Sequence, residues 1–192
     1  MAKKESTFVS MVLTLFIITF VASAALGYLY ELTKEPIAAS KLAKQNKAIM
    51  LVVPEFDNQP VDESYKMEVD GGNLEFFPAK KDGKLVGTAV STFTNKAFSG
   101  SFKIMVGFLP DGTIHNISVL EHKETPGLGD KMQKSKSDWS VQFNGKNPAN
   151  FKLKVTKDNG DVDAITASTI SSRAFCDAVD RAYKAYMEGG KK

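Results

Sequence analysis

Two short stretches of this chain concentrate side chains that could handle a ligand. The later one reads Asp161-Val162-Asp163-Ala164-Ile165-Thr166-Ala167-Ser168-Thr169-Ile170-Ser171-Ser172-Arg173. Thr166, Ser168, Thr169, Ser171 and Ser172 crowd hydroxyls into one run, just before apolar residues at helical spacing (Phe175, Val179, Tyr183, Tyr186). A helix entrance attracts anions, because its unpaired amides and its dipole point at the ligand. Arg173, one turn later, adds a fixed charge suited to a bidentate phosphate contact. The same residues could equally form an ordinary N-cap, with Ser or Thr satisfying the first helical amides. Local chemistry leaves both readings open.

The earlier stretch is Glu121-His122-Lys123-Glu124-Thr125-Pro126-Gly127-Leu128-Gly129. Pro126, Gly127 and Gly129 compel a tight loop whose backbone can come close to a flat ligand. Thr125 and the loop amides could then bond the polar edge of a ring. The competing reading is a plain strand-to-helix connection, with Gly129 or Asp130 capping the next helix.

Both stretches need a scaffold. Pro36 to about Val53 has helical spacing, with Leu42, Ile49 and Val52 or Val53 on one side, and Pro54 ends it. This helix could continue an earlier one outward, with a break at Pro36. Strands are expected at Leu74–Phe77, Leu85–Phe93, Lys103–Leu109 and Thr113–Leu120, the last two joined by a turn at Pro110-Asp111-Gly112. Asp82 and Gly83 form another turn, Val162–Ile165 a further strand, and Ser172–Met187 a helix. A sheet-forming middle flanked by helices implies an α+β fold with a largely antiparallel sheet.

Phe8 to Tyr30 is a run of 23 residues without charge. As a helix it spans about 34 Å, enough to cross a bilayer core. Lys3 and Lys4 precede it, which puts the amino terminus in the cytoplasm and the rest of the chain outside. Ala22-Ser23-Ala24 could serve as a signal-peptidase site, but the apolar run continues past it to Tyr30, favouring a retained anchor. The expected organisation is a stub and transmembrane helix (1–30), a helical linker (31–60) and an exported domain (61–192).

Composition narrows the chemistry. The chain has 192 residues and a net charge of +3, and its lysines are scattered rather than striped, against a nucleic-acid surface. Cys176 is the sole cysteine, so no internal disulfide or multi-cysteine cluster can form. His115 and His122 are too few and too far apart for a zinc motif, and no metal ligand set stands out. Redox chemistry would have to come from a bound organic cofactor.

Taken together and in order, these segments resemble the FMN-binding domain shared by the G subunit of the Rnf electron-transport complex and the C subunit of the sodium-pumping NADH:quinone reductase. Gly107-Phe108-Leu109-Pro110-Asp111-Gly112-Thr113-Ile114 through Glu124-Thr125-Pro126-Gly127-Leu128-Gly129 is similar to that domain's central signature. Asp163-Ala164-Ile165-Thr166-Ala167-Ser168-Thr169 is similar to its flavinylation signature, except that Ser168 stands where Ala is usual and Ala167 where Gly is often found. The short length favours the Rnf subunit.

The resemblance implies a membrane-anchored electron-transfer subunit with FMN held covalently through a phosphoester to Thr169. A separate flavin transferase would attach the FMN, so this chain is not a stand-alone enzyme. Glu124, Thr125, Gly127, Leu128, Thr166, Ser168 and Arg173 are the further expected cofactor contacts, and no residue is expected to be catalytic. The implied partners are the other membrane subunits of an Rnf-type ferredoxin:NAD oxidoreductase in the bacterial inner membrane, with the domain on the periplasmic side. The quinone-reductase subunit, or a cofactor-free extracytoplasmic binding or assembly protein, are the alternatives.

Overall fold

The computed structural model describes residues 7–189. Lys3, Lys4 and the Gly190-Lys191-Lys192 tail lie outside the described residues. The chain divides into two compact units, residues 1–43 and 44–192.

In the first unit the described chain is helix throughout from Phe8, the start of α1 (Phe8–Val52). Its apolar side chains, Phe16, Ile17, Leu29 and Tyr30 among them, are exposed. Among the described residues no core covers them, and the helix is long and apolar enough to cross a membrane. It fits a single-pass anchor. The break expected at Pro36 does not occur, and α1 runs through it.

The second unit begins with the last turns of α1 and continues through five strands: β1 (Tyr65–Val69), β2 (Gly72–Lys81), β3 (Lys84–Ala97), β4 (Gly100–Phe108) and β5 (Ile114–Glu121). They pair in chain order as one antiparallel meander. A final helix, α2 (Thr169–Gly189), comes after an irregular stretch with three short 3-10 turns. This is the α+β architecture with an antiparallel sheet that the apolar pattern implies.

The sheet is covered on both faces, which explains the near-continuous apolar runs of β2–β4. Leu74, Phe76, Val90, Ile104, Val106 and Phe108 face α2 through Phe175, Ala178, Val179, Ala182 and Tyr186. Their neighbours Phe77, Ala79, Ala89 and Met105 face the end of α1 through Ala48, Ile49, Val52 and Val53. The alternation arises because side chains in a strand point to opposite faces in turn.

Three elements differ from expectation. β2 is ten residues rather than four, because Pro78 is tolerated within it and pairs opposite Thr88. β1 is unanticipated; its alternation of half-buried and exposed positions is too weakly apolar to stand out. Val162–Ile165 is not a strand but a lone parallel bridge, Val155 to Val162. Gly160 turns the chain tightly there, and a Cβ on it would lie 2.0 Å from the Lys154 carbonyl oxygen.

Candidate functional site

The 124–129 loop leaves the end of β5, and α2 begins at Thr169; the fold brings the two together. Between them lies a cleft of about 320 Å³ lined by Phe98, Glu124, Thr125, Leu128, Gly129 and residues 167–171. That volume falls at the lower end of the range for small-molecule sites, roughly 300–1,000 Å³. Of the residues expected from sequence, Glu124, Thr125, Leu128, Ser168 and Thr169 line this cleft. Gly127, Thr166 and Arg173 do not.

The wall from α2 is built by a turn. The Ser168 amide donates to the Ile165 carbonyl at 2.9 Å. Ala167, third in that turn, has φ 62°, the left-handed region that an L-residue enters at a cost of about 1–2 kcal/mol. Ser168 then serves as the N-cap residue, its carbonyl accepting from the Ser172 amide at 3.0 Å. Ser172 Oγ donates to that carbonyl and accepts from the Ile165 amide at 2.9 Å, closing the turn. Among the described residues, no protein group accepts from the amides of Thr169, Ile170 or Ser171. They are the orphan donors of a helix start. Ala167→Gly is expected to stabilise the domain by roughly 0.5–1 kcal/mol. The melting temperature should rise by about 1–4 °C, and a scan that found a drop would contradict the strained turn.

The opposite wall comes from the 124–129 loop and the β3–β4 turn. Gly127 takes φ 78° in the loop. Glu124 is buried, at 5% exposure, with both carboxylate oxygens bonded. Gly129 lies against it, and a Cβ there would come within 2.4 Å of Glu124 Oε2. The expected cap at Gly129 or Asp130 is a single 3-10 turn, Gly129–Met132.

Phe98, Gly129, Ala167, Ile170 and Ser171 complete the lining and were not singled out as contacts from sequence. Phe98, at the tip of the β3–β4 turn, is 68% exposed, and Ile170 is 48% exposed. An aromatic residue between Ala97 and Ser99, where turns favour small or polar residues, was the available signal. Together with Leu128 these side chains give the cleft an apolar rim in search of cover.

Arg173 is committed elsewhere. Its Nε and Nη2 each donate to Asp158 at 2.7 Å, and its guanidinium holds the Asp158 carboxyl below the usual range. It lines a neighbouring cleft that shares Ile170 as a wall. Burial pushes the Cys176 thiol up to about 12, so the chain's cysteine stays a protonated core residue.

Comparison with known proteins gives a consistent picture. Residues 98–184 match the model of the FMN-binding domain family, a span that holds both walls of the cleft. The chain is 34% identical over 177 residues to a protein of Erwinia tasmaniensis named as the G subunit of an ion-translocating oxidoreductase complex, covering 88% of this chain and 84% of that one. The protein of the same name from Salmonella typhi is 35% identical over 162 residues, covering 79% and 78%. One from Haemophilus influenzae is 33% identical over 160 residues, covering 80% and 77%.

Proposed function

Since this chain belongs to the G-subunit family of ion-translocating oxidoreductase complexes and carries an FMN-binding domain, we propose that it holds FMN covalently on Thr169 and relays electrons within such a complex. The observation that supports this is the meeting of the 124–129 loop and the first turn of α2 around a shared cleft, with Thr169 on its wall.

The lining suits the group. Phe98, Leu128 and Ile170 offer apolar surface to a flat ring. Thr125 and the loop amides can bond the ring's polar edge. The amides of Thr169–Ser171 can bond the phosphoryl oxygens that a phosphoester on Thr169 would bring to them. Bound FMN supplies reversible electron uptake; the protein's part is to orient it, exclude water and tune its surroundings.

Attachment is the work of a separate flavin transferase, which would activate the Thr169 hydroxyl, by itself a weak nucleophile. The Thr169 hydroxyl oxygen bonds to the flavin-side phosphorus of FAD. The bond from that phosphorus to the bridging oxygen breaks, AMP leaves, and the hydroxyl proton goes to solvent. The complex passes electrons between ferredoxin and NAD and couples this to cation movement.

The apolar start of α1 and the preceding lysines favour an anchor in the bacterial inner membrane with the domain on the periplasmic side. A covalent tether makes sense there, where lost FMN could not be replaced from the cytoplasmic pool. The test is the intact mass of the chain purified from cells that express the transferase. It should equal the full-length chain plus one FMN less one water. A bare-chain mass under those conditions would reject covalent attachment.

A further inference from the structure

Glu124 occupies a singular place beneath the cleft. Its Oε1 accepts from the Ser99 amide at 2.8 Å, and its Oε2 accepts from the Ser171 hydroxyl. Its own amide donates to His122 Nδ1 at 3.1 Å. One carboxylate therefore ties together three segments distant in sequence. They are the turn carrying Phe98, the loop carrying Thr125 and Leu128, and the helical turn carrying Thr169. No hydrogen bond joins residues 97–100 directly to residues 169–172 among the described residues. Gly129 is packed so closely that a Cβ would strike Glu124 Oε2, Glu124 Cβ at 2.8 Å and Ser171 Oγ at 2.8 Å.

A buried carboxylate is costly unless its oxygens are bonded. Here both are bonded by the protein itself. We propose that Glu124 is a positioning residue: a latch that sets the spacing between the two walls of the flavin cleft and so fixes where Phe98 stands relative to the Thr169 hydroxyl. This rests on the flavin reading above. The latch carries the geometry through hydrogen bonds, and a neutral side chain of the same shape can replace it. In Glu124→Gln the amide oxygen can face the Ser99 N–H while the NH2 donates to Ser171 Oγ. Glu124→Ala removes both bonds, and Ser171→Ala removes one while leaving the wall intact.

The experiment takes the full chain with flavin transferase, FAD and magnesium, following the initial rate of attachment by in-gel flavin fluorescence and the visible circular dichroism of the attached flavin. Glu124→Ala is expected to slow attachment by about ten- to a hundredfold, the scale of small misplacements of a reacting group, and to flatten the dichroic band of an ill-held ring. Glu124→Gln should recover both to within about threefold, and Ser171→Ala should fall between. Wild-type rate and band in Glu124→Ala, or a Gln variant as impaired as Ala, would overturn the latch. If Glu124→Ala does not fold, Gln and Ser171→Ala decide by the same criteria. Should the wild type take up no flavin at all, the flavin reading falls but the latch is still read by amide exchange. Ser99 should then exchange at least about tenfold faster in Ser171→Ala or Glu124→Ala than in wild type, and equal exchange would reject it.

Discussion

A Thr169→Val chain, made alongside a flavin transferase, is expected to fold and to carry no flavin that survives denaturation. Thr169 is the first residue of α2, half-buried at the cleft, and its hydroxyl makes no hydrogen bond among the described residues. Val copies its shape, and at a helix terminus the difference in propensity amounts to a few tenths of a kcal/mol. Stability should hardly change, while attachment falls from complete to undetectable. The structure also sorts the competing hydroxyls. Ser172 Oγ is spent on the turn, bonded to Ser168 and Ile165, and Ser171 Oγ is spent on Glu124. Thr166 is exposed but stands outside the cleft. Ser168 lines it, yet at 8% exposure it is less open to a transferase than its neighbour. Removing any of these four should leave attachment at least partly in place, and Thr169→Ser should keep some, since a primary hydroxyl can also attack phosphorus. Denaturing gels viewed for flavin fluorescence, then peptide mass spectrometry, measure this. Full fluorescence from Thr169→Val, or FMN found on Ser168 in the wild type, would sink the assignment.

Much of the scaffold is legible along the chain because its signals are local. The turns at Asp82-Gly83 and Pro110-Asp111-Gly112 sit where residue type demands, with Asp82, Gly83 and Gly112 all at positive φ. The helical spacing of Phe175, Val179 and Tyr186 finds its partner face in the sheet. What stays illegible is non-local. Arg173 looks like a phosphate ligand until Asp158 is seen folded beside it, and no spacing rule announces that pair. Glu124 reads from sequence as a cofactor contact, and nothing local announces that Ser99 and Ser171 arrive from other elements to bond its two oxygens. Pro36 suggests a break because it removes an amide from the helix ladder, yet α1 runs on through it. Ala167 is the converse case. Its departure from a position where Gly is often found is visible in the sequence, and the φ of 62° supplies the reason Gly suits that position.

The same logic of close approach gives the largest stability effect expected outside the cleft, at Gly107. This residue lies within β4, paired with Ala89 on one side and Asn116 on the other. A Cβ there would stand 1.7 Å from the Val52 carbonyl oxygen and 2.4 Å from its carbon. Both obstacles are backbone, so no side-chain rotation relieves them. That backbone is itself held: the last carbonyls of α1, at Leu51 and Val52, bond Asn116 Nδ2 at 2.9 Å and His115 Nδ1 at 3.1 Å. These side chains from β5 satisfy carbonyls that a helix end otherwise leaves unpaired, and they fix the end of α1 against the sheet. Gly107→Ala must therefore push the helix end away, loosening Ile49, Val52 and Val53 from Phe77, Ala89 and Met105. Overpacking of this kind costs about 3 kcal/mol when backbone has to move, which lowers the melting temperature of a chain this size by roughly 6–12 °C. Gly27, with nothing within 4 Å of a built Cβ, is the control, and its Ala variant should melt with the wild type. Thermal unfolding in detergent, followed by near-ultraviolet circular dichroism of the domain, reads the difference. Equal melting of Gly107→Ala and wild type would mean that the end of α1 does not press on β4, and the second face of the sheet would lose its cover.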